Sequence, residues 1–418
     1  MKDYEVHTFP NGLRLVHKQV TNTKIAHCGF VLDIGSRDEL DHQQGIAHFW
    51  EHMAFKGTTK RRGFHICNRL EAVGGELNAY TTKEKICFYA SVLESHHEKA
   101  VELLCDITFD SIFPEKEIDK ERSVILEEMS MYLDTPDDAI ADEFDTVVFG
   151  KHPLGNNILG TNESVRRFTR PDFRTFIAEN LNTERMVFAS VGNFTLQTAV
   201  KRLEKHIGDV PAMAAGKPRQ IFTGYTPMSA EATRPVTQAH SIMGSLAYPI
   251  NDERRLPLFL MVNLLGGSAM NSRLNLSLRE KHGLVYSIEA GYQPYVDTGL
   301  FSIYFATEAS QYKKAISLVH KELKKLREQK LGTSQLHTAK QQMMGQLAMS
   351  EESNLSLMLM LGKSLLDSNK IDSLNHIFSR IEGTTAEQLQ DIAVEVFNPD
   401  MFSSLTYQPE GEEEEAEA

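Results

Sequence analysis

Three residues within a stretch of five, His48, Glu51 and His52, have the types and spacing that hydrolytic chemistry needs. On a helix, positions four apart are surface neighbours, so the two imidazoles face one way. Glu51, three residues after His48, shares their sector. Neutral imidazoles are good ligands for a zinc ion, and a carboxylate beside them is placed to take a proton from water. The order His-x-x-Glu-His inverts the commoner metalloprotease motif. From these five residues alone a second reading stands beside the metal site: a pair of hydrogen-bonded core histidines.

Such a set needs a helix to carry it. In Gly45-Ile46-Ala47-His48-Phe49-Trp50-Glu51-His52-Met53-Ala54-Phe55, the side chains of Ile46, Phe49, Trp50 and Met53 gather opposite the histidines, and Gly57 closes the helix. A second carrier starts at Pro114 and runs to about Leu133. There Ile118, Glu121, Ile125, Glu128, Met129 and Tyr132 recur on one helical face, while Glu127 points away. A carboxylate on a buried face is costly unless it is paired or binds a cation. The other reading of Glu121 and Glu128 is a pair of half-exposed glutamates at the edge of the stripe. Between the two helices, Glu76 to Thr82 and Ile86 to Leu93 read as strands.

At 418 residues the chain suits two domains of about 200 residues. With 41% hydrophobic and 24% charged residues it has the balance of a soluble globular protein. Its net charge of −13, part of it in six glutamates from Glu410 onward, argues against nucleic-acid binding. Cys28, Cys67, Cys87 and Cys105 form no Cys-x-x-Cys pair and read as reduced thiols. Neither a secretory h-region nor an apolar run of membrane-spanning length is visible, so the expected location is cytoplasmic, with no membrane partner.

Residues 1–208 read as a first domain. Residues 209–235, with Pro211, Gly216, Pro218, Gly224, Pro227 and Pro235, read as a linker. Residues 236–407 form a second domain, and 408–418 a disordered acidic tail. The order of elements in the first half returns in the second. The strand-to-helix passage Ala90 to Ala100 has its like in Ala306 to Ala315, which indicates a duplication. In the second copy the helix matching the opening motif offers Phe259, Leu260, Val262 and Asn263, which include no ligand set.

Together, the His-x-x-Glu-His helix, the Glu121-Arg-x-Val-Ile-x-x-Glu128 helix some 70 residues later and the degenerate second half resemble one family of zinc peptidases. It is the pitrilysin, insulin-degrading enzyme and mitochondrial processing peptidase family, in a short, single-chain bacterial form. The resemblance runs from about Gly12 to Phe397. It implies an α+β fold of two duplicated domains, each a mainly antiparallel sheet with helices packed on one face. It implies Zn2+ on His48, His52 and Glu128, with Glu51 as the general base and Glu121 supporting the ligands. Asn78 and Ala79 would lie in the edge strand Gly75 to Thr81, which pairs with an extended substrate backbone.

Arg279 and Tyr286, in Leu278-Arg279-Glu280-Lys281-His282-Gly283-Leu284-Val285-Tyr286, match the family's arginine and tyrosine. Arg279 would anchor substrate, and Tyr286 would donate to the carbonyl oxygen as it becomes an oxyanion. From the residues alone they read instead as a helix-end ion pair and a core tyrosine. Trp50 is the one departure, standing where aliphatic residues are frequent. The activity implied is that of a zinc metalloendopeptidase acting on short or unfolded peptides in a closed chamber. Full-length members are roughly twice this size, so a homodimer with active sites completed in trans is expected. Three other readings stand beside it: a non-catalytic structural or partner subunit, a hydrolase of something other than peptides, and a peptide-binding module with a vestigial metal site.

Overall fold

Pro10, Asn11 and Gly12 turn the chain between β1 (Glu5–Thr8) and β2 (Arg14–Gln19), which pair antiparallel. This is a computed structural model, and it describes residues 4–410. After β3 (Ile25–Leu32) come α1 (Ile46–Ala54), α2 (Gly63–Glu71), β4 (Glu76–Thr81), β5 (Ile86–Leu93), α3 (His97–Phe109) and α4 (Glu115–Leu133). Next are α5 (Pro136–Phe149), α6 (Asn162–Arg167), α7 (Arg170–Asn180), β6 (Met186–Gly192) and α8 (Leu196–Ile207). The rest runs β7 (Ser229–Arg234), β8 (Ala239–Ala247), α9 (Arg255–Gly266), β9 (Val285–Pro294), β10 (Gly299–Thr307), α10 (Tyr312–Glu328), α11 (Thr333–Glu351), α12 (Asn354–Ser368), α13 (Leu374–Gly383), α14 (Ala386–Val396) and β11 (Ser403–Pro409).

The chain divides into two compact units, and the division is not sequential. The first unit takes the residues up to Ser130, Asn156–Gln220 and Leu347–Ser373; the second takes Met131–Gly155, Ile221–Gln346 and everything from Leu374 on. The first unit is built on a sheet of order β1-β2-β6-β3-β5-β4, antiparallel except where β2 meets β6. Strand side chains alternate faces. Thus Met186 and Phe188 of β6 join a core with Phe30, Phe49, Trp50 and Leu104, while Val187, Ala189 and Val191 join Leu357, Met358 and Leu361 of α12. Each such side chain fully removed from water contributes about 1.5–3 kcal/mol.

The second unit has the sheet order β7-β11-β8-β10-β9, and α5 packs in its core through Ile140, Phe144 and Val148. The α+β class, with two mainly antiparallel sheets, is as expected. The expectation of helices on one face is incomplete, because α12 covers the second face of the first sheet. Ser229–Arg234, read as part of a linker, is a strand beside β11; its Ser-Ala-Glu-Ala-Thr-Arg sequence lacks the bulky apolar residues that mark a strand, as suits a mostly exposed edge. Gln408 and Pro409 belong to β11 rather than to the tail, and residues 411–418 lie outside the described residues. Ahead of β9, Asn275–Glu280 forms a π-helical turn.

The start of α1 is fixed by two close contacts. Gly45 has φ +91°, and a Cβ there would lie 2.5 Å from the carbonyl oxygen of Leu159. Glu39, only 4% exposed, accepts hydrogen bonds from the backbone N–H groups of Gly45 (2.9 Å) and Ala47 (2.8 Å). These N–H groups have no partner inside the helix, and a carboxylate is the best acceptor for them. Gly74 has a similar φ, +72°, but open space around it. Gly45→Ala should therefore cost about 3 kcal/mol or more, from backbone clash added to strain, and Gly74→Ala only about 1–2 kcal/mol. Urea denaturation of the two variants checks this; equal losses would show that the Leu159 contact does not constrain the helix.

Candidate active site

The stripe Ile46, Phe49, Trp50 and Met53 is wholly buried, which turns His48, Glu51 and His52 away from the core. The two imidazoles meet edge to face, with ring centroids 4.6 Å apart. The periodicity of α4 sends Ile118 and Ile125 into the core, so Glu121 and Glu128 arrive on the side that meets α1, and Glu127 is exposed. Glu128 Oε1 lies 3.8 Å from His48 Nε2, and Glu128 Oε2 lies 3.5 Å from His52 Nε2. One ligand atom from each of the three falls within 4.8 Å of the others, and among the described residues this is the group able to hold a metal ion.

The donor chemistry fits zinc. Ligand atoms about 2.0–2.1 Å from a tetrahedral ion stand about 3.4 Å apart, close to the separations seen. His52 Nδ1 is held by Glu121 Oε2 at 3.2 Å, which frees Nε2 for the centre and fixes the ring, as metal-bound histidines require. The other oxygen of Glu121 binds Lys56 Nζ at 2.7 Å. His48 Nδ1 is buried with no hydrogen-bond partner among the described residues.

The electrostatics also favour a cation here. Burial and the neighbouring His52 push the His48 imidazole down to about 4, against the attraction of Glu128. Burial acts the same way on His52, but its hydrogen bonds to Glu121 and Glu128 outweigh it and raise its pKa to about 9. The Glu128 carboxyl is lowered, chiefly by its hydrogen bond to His52. The carboxylates thus call for positive charge at this point, and one proton on His52 satisfies only part of that demand.

Glu51 differs from the other two carboxylates. Burial raises its pKa, and the hydroxyl of Thr81 donates to its Oε2 at 2.7 Å, which holds the other oxygen free. Thr81 ends β4, and β4 pairs only with β5, at the outer edge of the sheet. Asn78 and Ala79 lie in the middle of that edge strand. Nothing in the sequence marks Lys56 or Glu39 as part of this region, or ties Thr81 of the expected edge strand to Glu51. Each acts through a contact between elements, which helical or strand periodicity does not report.

Arg279 and Tyr286 belong to the second unit. The Arg279 guanidinium carbon stands 5.7 Å from the centre of the Tyr286 ring, and its Nε is 3.8 Å from Glu280 Oε1. Tyr286 lies on β9, the edge strand of its sheet, and is 85% exposed, so it is not a core tyrosine.

Comparison with known proteins agrees with this geometry. The profile of the insulinase family, peptidase family M16, matches residues 14–162, and that of the peptidase M16 inactive domain matches residues 167–343. A Bacillus subtilis protein named as an uncharacterized zinc protease, YmxG, is 33% identical over 401 residues, covering 96% of this chain and 97% of its own. A protein of Mycobacterium leprae, also named as an uncharacterized zinc protease, is 33% identical over 396 residues, covering 94% of this chain and 88% of its own. Among solved structures, a peptidase M16 inactive domain from Pseudomonas fluorescens superposes with a TM-score of 0.91 at 18% identity, covering 98% of this chain and 99% of its own. A protease from Helicobacter pylori does so with a TM-score of 0.89 at 20% identity, covering 97% and 99%. A fold shared nearly end to end, and a third of all residues shared with zinc-protease relatives over the same span, make this chain a member of peptidase family M16.

Proposed function

We propose that this chain is a zinc metalloendopeptidase that cleaves short or unfolded peptides laid along β4 as an added strand. The observation that carries this reading is the convergence of His48, His52 and Glu128 beside Glu51, a carboxylate tied by Thr81 to the edge of a sheet. Zinc held by the two histidines and Glu128 would supply a Lewis acid that polarises the scissile carbonyl and acidifies water.

The protein's own groups do the rest. Glu51, whose raised pKa suits a group that must gain and lose a proton, takes one from the attacking water and passes it to the leaving nitrogen. Thr81 keeps its second oxygen occupied, so the proton travels through one atom. Asn78 and Ala79 lie on an edge strand, whose outward N–H and C=O groups bind an extended backbone with little regard to sequence; the Ala79 N–H, which meets Asn78 Oδ1 at 3.2 Å, would exchange that contact for the peptide. Arg279 anchors the peptide, and the exposed phenol of Tyr286 donates to the oxyanion. The two halves of this machinery sit in different units, and in our reading they meet across a two-fold homodimer, with the peptide enclosed between chains.

Among the described residues no helix is long and apolar enough to cross a membrane, and all four cysteines are free thiols, which supports the cytoplasmic setting. The complete donor set in the first unit supports catalysis over a purely structural role.

Elemental analysis of the purified protein should find about one zinc per chain, retained in Glu51→Gln and lost in Glu128→Gln. Glu51→Gln should lower kcat by about 10²–10⁴ with KM little changed, since it removes a proton carrier and no ligand. Full activity in Glu51→Gln would sink the mechanism. Absence of zinc in the wild type would instead favour the structural-subunit reading. Mixing inactive Glu51→Gln chains with inactive Tyr286→Phe chains should restore up to about a quarter of wild-type activity per chain, because half the dimers are mixed and each holds one intact site. No recovery, with chain exchange verified by mass, would refute action in trans.

A further inference from the structure

We propose that the second unit carries a binding site for a small polyvalent oxyanion, bearing two or more phosphate or carboxylate groups. The site is a cleft of about 490 Å³ between the π-helical turn Asn275–Glu280, α10 and α11. Arg273, Lys281, Lys321 and Lys325 line it, against a single carboxylate, Glu322. His282 adds a further titratable nitrogen. The chain as a whole has a net charge of −13, so a local excess of three positive charges runs against the general field. Like charges gathered in one cleft repel each other, and a counter-charge bound among them relieves that repulsion.

The arrangement is built rather than merely exposed. Glu322, only 7% exposed, binds Arg273 Nε through Oε2 at 3.2 Å and Lys325 Nζ through Oε1 at 2.6 Å. Arg273 therefore spends its Nε–H on orientation and keeps both terminal NH2 groups, the fork that grips oxyanions in bidentate fashion. Lys281 and Lys321 have no ion-pair partner among the described residues. Ser272, 2% exposed, is one of the residues around the cleft, and its buried hydroxyl finds no hydrogen-bond partner among the described residues. A buried hydroxyl without a partner is uncommon, and an oxyanion would supply the missing acceptor.

The wall itself is irregular. The Lys281 N–H reaches back five residues to the Leu276 carbonyl at 3.1 Å, a π-type closure that in other proteins often marks a functional site. Leu264, Leu276, Leu318 and Leu331 form the apolar part of the lining, and neutral polar side chains such as Asn271, Ser277 and Gln335 add hydrogen-bonding groups beside the cations. A cleft of this size holds a molecule of some tens of atoms rather than a single ion.

This site does not depend on the zinc reading, and its test is a binding measurement. Calorimetric titration of the full chain with tripolyphosphate, and separately with citrate, at low ionic strength should give saturable one-to-one binding of at least one of them, and the tighter binder names the class. Lys281→Ala/Lys321→Ala should weaken that binding tenfold or more. Lys313→Ala/Lys314→Ala, on the same helix but outside the cleft, should change it less than twofold. Arg273→Lys, which keeps charge and loses the fork, should weaken it measurably, with thermal melting to verify the fold. Zinc-free Glu128→Gln protein should bind as the wild type does. No saturable binding of either anion, or equal losses from the two lysine pairs, would overturn the proposal.

Discussion

The buried carboxylate of Glu39 accepts the N–H groups of Gly45 and Ala47, and through them it sets where α1 begins and how it is aimed. A metal site tolerates misplacement of only about half an ångström in its ligands. His48 lies in the first turn of α1, so that precision has to be supplied there. Glu39 in turn follows a segment pinned by ion pairs. Arg219 grips Asp38 through two nitrogens and Asp33 through a third, and Arg37 meets Glu84 at 2.6 Å with both side chains almost fully buried. Burying charges is expensive, and breaking such pairs costs more than they contribute, which makes them specifiers of position more than sources of stability.

The group of His48, His52 and Glu128 that would hold an ion then has a rigid part and an adjustable part. His52 is held from behind by Glu121, and Glu121 by Lys56, a chain running from α1 to α4 and back. Among the described residues Glu128 has no anchor of that kind. It is about a quarter exposed, and its charge is balanced by the two histidines themselves. A donor free to move can adjust to the ion without disturbing the helices.

How far this was legible in the sequence depended on whether a residue's role is local. The 3.6-residue period of α1 and α4 separated Glu128 from Glu127 and put His48, Glu51 and His52 on one side, because helical geometry alone decides both. Edge status of β4 is a property of the whole sheet: the family resemblance implied it, residue periodicity could not, and the strand order shows it. Glu39 lies in an acidic, surface-like stretch with Asp38 and Asp41, and only the fold reveals that it is buried. The crossing of the chain between units was equally hidden. The short apolar faces of α5 and α12 show that each helix packs somewhere, and nothing local says on which sheet. Tyr286 failed the local rule in the other direction, since an aromatic residue in an apolar strand pattern is exposed when that strand is an edge.

The duplication shows what a group such as His48, Glu51 and His52 costs the fold. α9 follows β8 as α1 follows β3, yet Leu258, Leu260, Met261, Val262 and Leu265 of α9 are all buried, so that helix is apolar around most of its circumference. Its polar residue Asn263 donates from Nδ2 to Gln346 Oε1 at 2.9 Å. In α1 three of the nine residues are ionisable groups that must be desolvated, paired and kept apart from the core. Such groups lose free energy that apolar residues in the same place would gain. A second copy without donors is free to convert that position into packing. The copy that kept them needs Glu39, Glu121, Lys56 and Thr81, four further polar side chains whose identified contacts serve to hold the first three in place. Conservation of fold and loss of site in the two halves are therefore one physical fact, since an active site is maintained by more residues than it uses.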